Sequence, residues 1–354
     1  MANLNNNNIP CITMTVIFEG SALNRNEKIG GNILSVKKLN VNGQEKTYIS
    51  KGAFRHYLFN TLIRAEGWNE AKVSNEKVLQ FDITQDDILT CEELDVFGYM
   101  NTTHGQTRKT PLHITKAISL FPYEQDMGMY ANHDMVRRGR EQGLENVNPD
   151  PFNKEEHTSF YKITFTIDSD KLGVDKWIVP SVDFNEEDNE LKIGNIRSIK
   201  GVSKNDNNYK INGLGEITTK NISGKAIIVN FKSEKKKERI KNILDTIING
   251  IIAHTSSESN TIVPMFVLAG DVKVPSPVFH SFIDVKRTDN GQFEVIGIND
   301  AIKNGWLKGN LFIQDCERLK KPNLEKDDRI KSSWEEFLMA VNLKDSKNDE
   351  GSKN

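Results

Sequence analysis

Lys51 and Arg55 stand four residues apart, directly after Ser50, a residue type that caps helix starts. A helix beginning there places both cations on one face beside its first turn. Unsatisfied backbone N–H groups and the positive end of the helix dipole already favour an anion at that point. Two cations set against the dipole cost stability, so a phosphate in contact is a better account of them than chance, with a solvated basic face as the alternative reading. Thr107-Arg108-Lys109-Thr110 adds two bases and two hydroxyls, a composition suited to phosphate oxygens. Arg137, Arg138 and Arg140 follow Tyr123, Met127, Met129 and Tyr130. Arginines in such company can hold a nucleic-acid backbone while rings or thioethers stack on unpaired bases.

Templates for hydrolysis and metal binding are not met. The seven histidines form no HExxH and no His-Cys set with ligand spacing, and neither GxSxG nor GxxxxGK[ST] occurs. Asp86-Asp87 and Glu186-Glu187-Asp188 read as acidic surface loops, and Lys235-Lys236-Lys237 as a solvated run. No catalytic residue, metal or cofactor is therefore expected.

These side chains need a frame. Ile12, Met14, Val16 and Phe18 alternate with Thr13, Thr15 and Ile17, which predicts a strand with one apolar face. Phe54, Tyr57, Leu58, Thr61, Leu62 and Ala65 recur at steps of three and four, so a helix is expected over 51–66, ended by Gly67. Gly52 in its first turn weakens it by about 1 kcal/mol. One strand is expected within 110–120 and another over 160–167, where Tyr161, Ile163, Phe165 and Ile167 alternate with polar residues. Ile240, Ile243, Leu244, Ile247, Ile248, Ile251 and Ile252 give a second helix over 238–253, with a buried strand at 262–268. A short helix capped by Ser332 or Ser333 follows near the C-terminus. The order strand, helix, strand, strand, helix, strand is the split β-α-β pattern of ferredoxin-like and RNA-recognition folds. Segments 22–49, 73–107, 123–158 and 172–224 are longer than ordinary connections and read as functional insertions.

The 354 residues suit one elaborated domain, expected over 11–343, between a disordered Asn-rich start at 1–10 and a disordered tail at 344–354. Lys and Arg number 47 against 49 Asp and Glu, which excludes a polycation of the histone kind. The charge is segregated, however: residues 82–95 hold six acids and no base, 183–190 five acids and no base, and 232–241 six bases against two acids. Basic stripes on a near-neutral chain suit a polyanion bound on one face. Cys11, Cys91 and Cys316 are too far apart for a zinc ribbon, and an odd count gives no disulfide framework, so a reducing cytoplasm is expected. No signal peptide and no membrane span is legible.

Several ordered segments together resemble one family. They are Ser21-Ala22-Leu23-Asn24, Tyr48 to Arg55, Asp95-Val96-Phe97-Gly98-Tyr99-Met100, Thr107 to Leu112, and Ser119-Leu120-Phe121-Pro122, with His157 to Tyr161 also fitting. The set is similar to DevR-type CRISPR-associated proteins, the seventh Cas family in its type I-B form. The resemblance implies an α+β chain, a modified RNA-recognition (ferredoxin-like) fold with palm, finger insertion and thumb hairpin. It implies a non-catalytic subunit, copies of which line a guide RNA (crRNA) as the backbone of the Cascade surveillance complex in antiviral defence. Expected partners are the crRNA, target DNA paired to it, further copies of the chain, the large subunit, the guide-end subunit and the guide-processing endonuclease; no membrane is involved.

Carried onto this sequence, the family's basic helix start falls on Lys51 and Arg55 with Ser50 as cap, and its basic strand approach on Arg108 and Lys109. Asn24 and Arg25 fall at the loop after the first strand. The Asp95 to Met100 motif reads as structural, Phe97 and Tyr99 packing and Gly98 permitting a tight bend. A subunit that accepts any spacer should grip phosphate and sugar rather than base edges, as lysine, arginine and hydroxyl groups do. Two rival readings are a metal-dependent ribonuclease like the type III backbone subunits, and a regulator acting on RNA or DNA of its own operon.

Overall fold

The computed structural model describes residues 9–21, 24–25, 33–74, 78–222, 226–254 and 259–345. The expected disorder at 1–10 and 344–354 lies mostly outside them, as do Ala22 and Leu23; Ile9 is buried ahead of the first strand. The chain is a mixed α+β structure built mainly of strands.

The main sheet comprises β1 (Cys11–Ser21), β2 (Lys38–Val41), β3 (Gln44–Ile49), β4 (Leu112–Ile114), β5 (Ala117–Ser119), β6 (Thr158–Ile167), β7 (Pro264–Val272), β8 (Leu307–Gln314) and β9 (Ile330–Lys331). Its order is β9-β8-β7-β1-β6-β5-β3-β2, with β4 also paired to β6. β1 is antiparallel to both β6 and β7. The single strand expected over 110–120 is two, because Thr115 breaks away: its amide donates to the Thr164 carbonyl at 3.0 Å while its hydroxyl accepts from the Thr164 amide at 2.9 Å.

Five helices matter here: α1 (Lys51–Glu66), α2 (Glu92–Phe97), α3 (His133–Glu141), α4 (Lys236–Asn249) and α5 (Trp334–Ala340). α1 has the predicted limits. Ser50 Oγ accepts from the Ala53 amide at 3.2 Å, and Gly67 ends the helix with a left-handed φ of 68°. Phe54 and Leu58 of α1, Ile240, Ile243 and Ile247 of α4 and Phe337 of α5 bury one sheet face together with Met14, Val16 and Phe165. α4 stops early because Gly250 turns at φ 111°, so Ile251 and Ile252 form a short strand against Thr261–Ile262 instead of a last helical turn.

β1 was expected to have one apolar face, yet both its faces are covered. Thr13 and Thr15 are buried and meet Thr166 and Thr164 hydroxyl to hydroxyl at 3.0 and 2.7 Å. Around them Phe266, Leu268, Phe279, Ile283 and Leu311 form a second core beneath the C-terminal segment. A third core joins two insertions distant in sequence: Ile83, Ile88 and Leu94 pack with Trp177, Ile217 and Phe231. It lies on a five-stranded sheet in the order 174–179, 226–233, 215–222, 208–211, 202–205. Insertion 123–158 makes a three-stranded sheet with Ile33–Leu34, and α3 lies in the connection between its own two strands.

Candidate nucleic-acid interface

The start of α1 is clamped from below. Asn24 Oδ1 accepts from the Ser50 amide at 3.0 Å, and Ser50 Oγ in turn caps Ala53. The amides of Lys51 and Gly52 belong to the first turn that a helix cannot satisfy internally. A Cβ added at Gly52 would meet nothing within 4 Å, so the backbone there is open to approach. Lys51 is exposed, and among the described residues it makes no hydrogen bond or ion pair. Asn24 and Ser50 thus position the turn, and Lys51 supplies its free charge.

Arg55 is not free beside it. Its guanidinium donates to Glu93 Oε1 at 2.9 Å and lies 4.8 Å from the centre of the Phe97 ring, tying α1 to α2. Its Nε is buried without a partner.

Arg108 departs furthest from the sequence-based expectation. Rather than approaching a phosphate, it is buried, its Nη2 paired with Asp95 Oδ1 at 2.5 Å and donating to the carbonyls of Asp95 and Lys171, while Nη1 donates to that of Val174. Asp95 is fully buried, and its other oxygen accepts from Arg239 Nη1 of α4 at 2.7 Å. This Arg108–Asp95–Arg239 group joins the third core to the main one, because a buried carboxylate is tolerated only with such partners. Gly98 beside it has φ 69°, and a Cβ there would lie 2.5 Å from the Arg108 carbonyl oxygen, so the structural reading of this motif matches the geometry. Arg25 is likewise held inward, donating to the Glu155 carbonyl and to Glu156 Oε2 at 2.7 Å.

Lys109 points outward and is unpaired among the described residues. Four residues on, His113 stands exposed between buried Leu112 and Ile114. Its imidazole is held below the usual range, first by partial burial and then by the charges of Lys171 and Lys51, against the pull of Asp168. The open cations of this region are therefore Lys51 and Lys109. Arg137 and Arg138 are not among them: they ride on α3, exposed and paired to Asp134 and Glu141 at 2.7 Å. On the adjoining strand Met129 is 76 % exposed, a placement suited to contact with a base. Sequence reasoning missed His113, whose signal was a lone polar residue alternating with apolar ones, and Arg239.

Cys11, Asp168 and Asp170 bring possible metal-ligating atoms within 4.8 Å of one another. The Lys171 ammonium already sits 2.5 Å from Asp168 Oδ2, and Cys11 Sγ faces Ser169 Oγ at 3.6 Å, so the group reads as an ion pair at a turn. Among the described residues, no helix is long and apolar enough to cross a membrane.

Residues 12–290 match the family described as CRISPR-associated negative auto-regulator DevR/Csa2. The chain belongs to the DevR/Csa2 family. No curated protein matches it. Among solved structures, this DevR/Csa2 chain is similar to a chain of a CRISPR RNA-guided surveillance complex, with TM-score 0.49 and 9 % identity over 94 % of this chain and 98 % of that one. A chain of a pre-nicking surveillance complex matches at TM-score 0.42 and 9 % identity, over 77 % and 82 %. A chain of a type IV-B CRISPR complex matches at 0.33 and 12 %, over 75 % and 96 %.

Proposed function

We propose that this DevR/Csa2 chain is the crRNA-binding backbone subunit of a type I-B Cascade, a non-catalytic protein that assembles with copies of itself along the guide in the cytoplasm. The strand order β7-β1-β6-β5 with α1 and α4 on one face supports reading the core as an RNA-recognition, ferredoxin-like palm. The observation that carries the function is Lys51: an exposed ammonium, unpaired among the described residues, on a helix start that Asn24 and Ser50 cap and Gly52 leaves open. A helix N-terminus with a free cation grips a phosphate whatever the base, which is what a subunit serving every spacer requires. Target recognition is then left to base pairing with the guide.

The test is co-expression with a repeat–spacer array and the other Cascade genes. The expected outcome is a complex holding RNA of uniform length that begins and ends in repeat-derived sequence. A complete complex assembled without this chain contradicts the proposal. The word auto-regulator in the family description makes operator binding the rival, and specific binding of the isolated chain to its own upstream DNA would favour it.

A further inference from the structure

Of the four tryptophans, three are used internally. Trp68 and Trp177 are buried, Trp177 donating to the Tyr99 hydroxyl at 2.6 Å, and Trp334 stacks on Phe337 and donates to Asp245 at 2.7 Å. Trp306 is different: it is 51 % exposed, and among the described residues its indole makes no ring contact and no hydrogen bond. Tryptophan is enriched at interfaces, where a partner covers the ring.

Its surroundings indicate what does. The Trp306 carbonyl accepts from the Lys273 amide at 2.8 Å, so Lys273 is its cross-strand neighbour, and Lys308 stands two residues along β8. Both lysines are exposed and unpaired among the described residues. Gly305 and Gly309 stand one residue before and three after Trp306 in the chain, and a Cβ at either would meet nothing within 4 Å. The nearby acid, Asp271, is buried and turned inward, accepting from the Gly309 and Asn310 amides at 3.0 and 2.8 Å and from Asn310 Nδ2 at 2.7 Å. Lys303 faces a separate groove with Glu325, Asp327 and Asp328 and takes no part.

We infer that Trp306 is a stacking platform for an unpaired nucleotide, with Lys273 and Lys308 on the adjoining phosphates. A bare ring between unpaired cations is the arrangement that single strands recognise without regard to sequence. The inference rests on the RNA-binding reading above, and the strand registers are compatible with it. Leu307 pairs with Val272, Val272 with Cys11, Asp168 follows the β6 residue Ile167 that pairs with Leu112, and the Asp168 amide donates to the Pro111 carbonyl. The starts of β8 and β4, which Trp306 and Lys109 precede, therefore lie at the same end of the sheet, four strand spacings or roughly 19 Å apart.

The experiment uses the full chain with fluorescently labelled single-stranded RNA of mixed sequence and DNA of the same sequence. Binding should quench tryptophan emission, and Trp306→Phe should remove most of that quenching, since the other indoles are packed. Trp306→Ala should weaken at least one of the two strands by roughly 5- to 150-fold, the size of one base–aromatic stack, and Lys273→Glu with Lys308→Glu should also weaken it. Unchanged affinity of Trp306→Ala for both strands overturns the inference, whether or not that variant fails to join the other complex subunits. If Lys51→Ala with Lys109→Ala weakens binding while Trp306→Ala does not, the function above stands and this site falls. The reverse pattern keeps this site and removes the other, and a wild-type chain that binds neither strand removes both.

Discussion

Arg108→Ala separates a structural arginine from an RNA-binding one. In the structure the guanidinium neutralises Asp95, which is fully buried, and is tied to three backbone carbonyls. Truncation leaves Asp95 with Arg239 and the Gly173 amide at 2.8 Å as its remaining close partners. Breaking a buried pair in this way costs about 3–5 kcal/mol. At about 2.1 cal/mol/K per residue over 354 residues, the unfolding entropy is about 0.7 kcal/mol/K, so Tm should fall by roughly 4–7 °C. Calorimetry or thermal circular dichroism reads the shift, and Arg108→Lys, which keeps the charge without the fork, should fall between. The folded fraction should bind RNA within about twofold of wild type, a difference of roughly 0.4 kcal/mol. A variant with unchanged Tm and tenfold weaker RNA binding would refute the buried-triad argument and restore the phosphate role.

Gly98→Ala forces a side chain into a left-handed φ and against the Arg108 carbonyl at 2.5 Å, so it should destabilise by about 2 kcal/mol or more in urea unfolding; the clash is with backbone, so it should persist when Arg108→Ala is added. His280 is pushed down to about 4 from 6.5, first by burial and then by the Lys162 charge, while its Nδ1 meets Thr164 Oγ1 at 2.8 Å. The unfolded chain takes up the proton first, so the stabilisation from the neutral ring is complete above pH 6.5 and is lost as pH falls towards about 4. It is worth about 2 kcal/mol after allowing for partial exposure, and the pH slope of stability in that window should flatten in His280→Gln.

What the sequence makes legible follows from how local each cause is. The limits of α1 depend on Ser50, a periodic apolar face and Gly67, all within one helix, and they stand as read. Arg108 and Arg25 show the opposite case: composition reports a charge but not its partner, and their acids lie 13 and 131 residues away in sequence. The shared core of 73–107 and 172–224 is invisible for the same reason, since no local pattern announces that two insertions pack together. Arg239 could have been found, because it falls four and eight residues before Ile243 and Ile247 on the buried stripe of α4 and so had to be buried with a counter-ion. Lys51 and Lys109 are exposed and, among the described residues, unpaired, so no distant partner bears on where they sit.

If α1 and the approach to β4 hold a sugar–phosphate strand by charge alone, RNA affinity measured across a salt series should differ between the wild-type chain and Lys51→Ala with Lys109→Ala. Losing two single-strand phosphate contacts should make the slope of log K against log salt shallower by about 1.4, by the same amount for every RNA sequence tried. An unchanged slope, or a loss confined to particular sequences, would contradict a grip by charge alone.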